Sequence, residues 1–103
     1  MMLTDITPLE RLATWFERHC NGDWEHSYGI TIESLDNPGW ALHVELADTE
    51  MADAVFTPMK HERSKDDWVH CSVENAVFHG YGGIHNLDEM IVIFLNWAAI
   101  EEK

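Results

Sequence analysis

Glu25 to Leu46 reads EHSYGITIESLDNPGWALHVEL, and the architecture turns on it. From Glu25 to Leu35, His26, Tyr28, Ile30 and Ile32 fall on one side of an extended chain. Ser27, Thr31 and Glu33 fall on the other, the period-two pattern of a half-buried strand. Asp36-Asn37-Pro38-Gly39 is dense in turn formers. Immediately after it Trp40, Leu42, Val44 and Leu46 alternate with His43 and Glu45. Two alternating runs joined by a short turn predict a β-hairpin, and hairpins belong to antiparallel sheets that pack one face and expose the other.

Upstream, Thr7-Pro8-Leu9-Glu10 combines an N-cap, proline at the first helical position and glutamate where a capping box needs it. Leu9, Leu12, Trp15, Phe16 and His19 recur at helical spacing, and Asn21-Gly22 supplies a stop near Cys20. This aromatic stripe reads as core, not as a cofactor site. Downstream, Ala47 to Ala54 is acidic and unpatterned, a loop before a short strand over Val55 to Glu62. Ser64-Lys65-Asp66-Asp67 turns the chain. Trp68 to Val73 and Ala76 to Tyr81 form two more strands around a tight Glu74-Asn75 turn, and Gly80-Tyr81-Gly82-Gly83 closes the sheet region. Asn86 then caps a second amphipathic helix carrying Leu87, Met90, Ile91, Phe94, Leu95 and Ala98 to about Ile100. The expectation is an α+β domain over 1–103: an antiparallel meander of four to five strands flanked by N- and C-terminal helices packed on one face.

The 103 residues include 19 Asp and Glu against 6 Lys and Arg, for a formal net charge of −13. Nucleic acid is a poor partner for such a chain, because phosphate binding needs clustered cations. The cluster Lys60, His61, Arg63 and Lys65 runs straight into Asp66 and Asp67. The charge points either to a basic partner or to solubility alone. No run approaches a membrane span, and MMLTDITPLER lacks the basic-then-apolar order of an export signal. The cytoplasm is the expected compartment, with Cys20 and Cys71 reduced.

Cys20, His26, His70 and Cys71 are the right types for a tetrahedral zinc site, but His70 and Cys71 are neighbours on a strand and point to opposite faces. No metal and no cofactor are expected. Cys71 lies mid-strand in WVHCSV, without the amide cradle or cations that make a thiolate nucleophile. The carboxylates flanking tryptophan, in Asp23-Trp24-Glu25 and Asp66-Asp67-Trp68, suit either an acid-base pair or a protein interface with an aromatic anchor. They also suit a buried indole with acids in water. The enzymatic alternative is a small metal-dependent or thiol hydrolase built on Asp23, Glu25, His26 and His70, and it requires those groups to converge.

Cys20-Asn21-Gly22-Asp23-Trp24-Glu25-His26, Tyr28-Gly29-Ile30, Leu35-Asp36-Asn37-Pro38-Gly39-Trp40 and Asp66-Asp67-Trp68 together resemble the immunity protein family 53 of bacterial polymorphic toxin systems, from Leu9 to Trp97. The resemblance implies a non-enzymatic antidote that binds and neutralises a cognate toxin domain. A nuclease with a basic cleft is one class of toxin that an acidic protein could block. Candidate toxin contacts fall in two groups: Asp23, Trp24 and Glu25 with Asp66 and Asp67 in the shared blocks, and Glu33, Glu45, Asp48, Glu50 and Asp53 in the outward and loop positions. A subunit of a larger assembly is a third reading, and it requires a large exposed apolar patch.

Overall fold

A computed structural model describes residues 6–101. Helix α1 (Pro8–His19) starts as its sequence dictates: the Thr7 side chain accepts from the Glu10 amide, and the Glu10 carboxylate accepts from the Thr7 amide. A single turn, α2 (Trp24–Ser27), leads into β1 (Ile30–Leu35) and β2 (Gly39–Glu45). Then come β3 (Met59–Ser64), β4 (Asp67–Glu74), β5 (Val77–Gly82) and α3 (Leu87–Glu101).

All strand pairings are antiparallel and the spatial order is β1-β2-β5-β4-β3. The fold is α+β, with the hairpin β1–β2 docked on the last strand of the β3–β4–β5 run. In register, Leu42 stands opposite Gly80, which in turn faces Cys71, and Val44 opposite Phe78, which faces Val73. These residues face the helices and join Leu12, Trp15, Met90, Ile91, Phe94 and Ala98 in one core. The connection from β2 to β3 crosses on this same side: Met51 is fully buried, and the Phe56 ring lies edge-on to Phe78 and Trp97.

Glycine lets α3 settle close to the sheet. A Cβ on Gly82 would stand 2.8 Å from the Met90 methyl and 3.0 Å from the Trp68 carbonyl oxygen, so any side chain there would push α3 outward. The β4–β5 turn is a two-residue loop in which Asn75 (φ 55°) and Ala76 (φ 59°) both adopt left-handed backbone, the geometry whose twist matches a hairpin.

The strand expected over Glu25 to Leu35 starts late, at Ile30. Local hydrogen bonds outcompete extension: the Asn21 side-chain oxygen accepts from the amides of Asp23 and Trp24, and the Glu25 carboxylate accepts from those of Asn21 and Gly22. His26 is therefore an exposed helical residue, not a strand histidine. The strand expected over Val55 to Glu62 also shifts, because Pro58 cannot donate to a ladder, and pairing begins at Met59. The tight turn of the β4–β5 hairpin falls one residue later than expected, at Asn75-Ala76. Charged β3 is an edge strand, and its Lys60, His61, Glu62 and Arg63 discourage edge-to-edge pairing.

Candidate functional site

The acids singled out in the sequence do not converge on one point. Trp24 is 3% exposed, its ring edge-on to Trp15 and Phe16 and its indole N–H donating to the Ala47 carbonyl, so it is core and not a surface anchor. Glu25 is occupied in holding its own loop. Those hydrogen bonds, its own amide's foremost, keep its carboxyl below the ordinary range. Glu50 accepts from His19 Nε2 at 2.8 Å, while His19 Nδ1 donates to the Trp15 carbonyl, tying the acidic loop to α1.

Asp67 is bound still more tightly. Arg63 donates to both of its oxygens at 2.9 and 3.1 Å and to Glu89 at 2.6 Å, and buried Asn86 donates to both carboxylates. The Asn86 side-chain oxygen accepts from the Trp68 amide at 3.4 Å. The arrangement fastens the start of β4 to the start of α3. The Arg63 hydrogen bond holds both carboxyls below their ordinary range, with Asn86 assisting. Asp23, Asp48, Asp53 and Asp66 remain exposed or half-exposed, and among the described residues no ion pair engages them.

The sheet face turned away from the helices carries a different set. Strand alternation puts Glu33, His43, Glu45, His79, Tyr81, Trp68, His70, Ser72, Glu74, Lys60 and Glu62 on it, and no described helix or loop covers it. His43 Nδ1 and His79 Nδ1 are 2.9 Å apart, so one ring donates and the other accepts. Burial and the neighbouring His43 hold the His79 pKa below the ordinary histidine value. His43 Nε2 lies 3.5 Å from Glu33, and His70 Nε2 donates to Glu62 at 2.9 Å. The Tyr81 ring touches His43 and the Trp68 ring touches His70, at centroid distances of 5.6 and 5.0 Å.

Trp68 separates two depressions. A cleft of about 670 Å³ at the end of the sheet is lined by Asn37, Pro38, Asp66, Gly83, Ile84 and His85 together with Lys65 and Trp68. A second of about 410 Å³ lies among Glu62, Ser64, Lys65, Trp68 and His70. The indole N–H groups of Trp24, Trp40 and Trp97 each donate to a backbone carbonyl at 2.9 Å. That of Trp68 has no partner among the described residues.

A family model described as immunity protein 53 matches residues 9–99. The chain belongs to the immunity protein 53 family. No curated protein and no solved structure matches it. An immunity protein implies a toxin as its partner, so the exposed surfaces matter here for the polypeptide they could hold.

Among the described residues, the groups that the hydrolase alternative requires, Asp23, Glu25, His26 and His70, do not all converge. His26 lies on α2 beside the helix-side core, whereas His70 lies on the opposite face of the sheet, on the fourth strand counted from β1. Three strand spacings are about 14 Å. Among the described residues no group of His, Cys, Asp and Glu is placed to hold a metal ion. Both cysteines are free, and burial pushes the Cys71 thiol up to about 12, the reverse of nucleophile activation. Among the described residues no helix is long and apolar enough to cross a membrane.

Tyr81, His43 and His79 were absent from the sequence-derived site. Alternation puts His43 opposite Leu42 and Val44, whereas the strand expected over Ala76 to Tyr81 carries no face assignment for His79 or Tyr81. What the sequence did not disclose was that β5 lies between β2 and β4, which gathers these rings on one surface.

Proposed function

We propose that the protein neutralises a cognate toxin domain by stoichiometric binding, without turnover, and that the toxin surface it covers is basic. The observation that carries this reading is the family match over residues 9–99 joined to a formal net charge of −13. Of the acids selected from the sequence, Asp23, Glu33, Glu45, Asp48, Asp53 and Asp66 supply the field that steers a basic partner. Trp24, Glu25, Glu50 and Asp67 stabilise the scaffold instead. A nuclease domain is the toxin class that such a field fits best, since its nucleic-acid cleft is itself basic.

The test is co-purification with the polypeptide encoded beside it, read at about 0.05 and 0.5 M salt. A one-to-one complex that weakens at the higher salt supports the reading, because screening at that concentration reaches within a few ångströms. A complex indifferent to salt removes the electrostatic part. No complex with any neighbouring product removes the antidote function itself.

A further inference from the structure

Charge brings a partner near; it does not say where the partner sits. The helix side of the sheet is closed by α1, α3 and the loop from β2 to β3, whereas the other side presents aromatic and imidazole rings to solvent across neighbouring strands. We propose that this uncovered face, centred on Trp68, His70 and Tyr81, is the toxin-docking surface, and that it takes a basic stretch of polypeptide offering an acceptor to the Trp68 indole N–H. The assignment rests on the toxin-binding reading above and adds to it the place and the chemistry of contact.

Three observations support it. Trp68 is half-buried, wedged between two depressions, with an indole donor that nothing in the described chain satisfies. Interface anchors are typically indoles and phenols that bring a polar atom to an otherwise apolar contact. Tyr81, at 37% exposure, and the ring pairs Trp68–His70 and His43–Tyr81 provide a firm platform. Around these rings stand Glu33, Glu45, Glu62 and Glu74, against Lys60 on the strand and Lys65 in the turn beside Trp68. Aromatic centre and acidic rim together fit Lys- or Arg-bearing chain, whose cations pair with the rim and whose carbonyls reach the indole. A second copy of the same chain fits poorly, because a two-fold contact would bring glutamates against glutamates.

The experiment is calorimetric titration of the full chain with the toxin domain encoded beside it, each variant first checked by thermal melting. Trp68→Ala should weaken binding by about 30-fold or more, as expected for loss of an anchor. Trp68→Phe, which keeps a ring and deletes the N–H, should lose roughly 5- to 10-fold. Glu62→Lys should lose roughly 10-fold, mostly through slower association, while Glu17→Lys on α1, the same charge change on the other side of the molecule, should lose under about 3-fold.

If Trp68→Ala does not fold, solvent-exposed Glu62→Lys against Glu17→Lys decides the question. Wild-type binding with all these variants within about 3-fold of it overturns the docking face. So does a large loss confined to Asp48→Lys or Asp53→Lys in the acidic loop. A wild-type chain that binds no toxin overturns the function it rests on, an outcome distinct from the others.

Discussion

Phe78 and Tyr81 belong to the same strand and face opposite ways, and the contrast between them separates two surfaces built from one sheet. Phe78 has no exposure and touches Phe56, Phe94 and Trp97, so its area is already used in folding. Tyr81 is partly open and touches one neighbouring imidazole. The helix side holds the molecule together. The bare side keeps contact area in reserve. The sharpest way to break this comparison is to truncate both. Phe78→Ala should cost about 3–5 kcal/mol in denaturant unfolding, since a buried ring leaves a cavity. Tyr81→Ala should cost under about 1 kcal/mol, as surface changes do. Equal losses would mean that the bare face is structural after all.

A second test concerns the junction between the surfaces, where Trp68 stands on the bare side and its own amide is held by Asn86 on the helix side. Asn86→Ala leaves that amide, Asp67 and Glu89 each short of a partner, and it should cost about 2–3 kcal/mol. Gly83→Ala should be similar, about 2 kcal/mol by the cost of overpacking. Its Cβ would meet the Asp66 carbonyl oxygen at 2.6 Å, and backbone cannot swing aside as a side chain does. Either variant should also loosen toxin binding more than Phe78→Val does at equal stability, because both loosen the platform beneath Trp68.

The same junction sets a pH dependence. The folded-state pKa values of Asp67 and Glu89 lie below the ordinary values of 3.8 and 4.5, because Arg63 and Asn86 bond the charged forms. Groups depressed in this way bind more protons unfolded than folded as pH falls past their ordinary values, so the stability they contribute is full above about pH 4.5 and is lost below it. Melting temperature should therefore fall as pH drops below about 4.5. Asp67→Asn should lower it at pH 7 and flatten that acid limb. An unchanged limb would locate the acid sensitivity elsewhere.

The two surfaces were unequally legible in the sequence. Periodicity and capping located α1, α3 and the β1–β2 hairpin, because Thr7, Glu10, Pro38 and the alternation from Trp40 to Leu46 act locally. They also named the core, since Leu12, Trp15, Met90, Ile91 and Phe94 must face inward wherever the helices lie. The candidate site was legible only as charge. Trp24 looked like Trp68 in its acidic setting, yet the one is core and the other half-exposed. That difference depends on which strand lies beside which, a matter of long-range pairing. The Asn21 and Glu25 hydrogen bonds that turn residues 24–27 into a helix lie within a few positions of one another, but they compete with an equally plausible strand pattern, and burial of Trp24 decides between them.

The smallest expected effect concerns the turn that holds both surfaces in register. Asn75 and Ala76 both have positive φ, which asparagine tolerates and alanine does not, at a cost of about 1–2 kcal/mol for a left-handed residue with a Cβ. Ala76→Gly removes that strain and yields the Asn-Gly pair that such turns favour. Two terms oppose it. Glycine adds about 0.4–1 kcal/mol of unfolded-chain entropy, and the lost methyl packs at the margin of the core. The balance favours glycine by about 0.5 kcal/mol, read as a higher urea midpoint at unchanged slope. Because the Ala76 carbonyl accepts from the Leu46 amide at 2.7 Å, the turn also anchors the end of β2. A lower midpoint would show that the methyl and this anchored geometry outweigh the strain, and that the turn is set by the helix-side core more than by its own backbone preference.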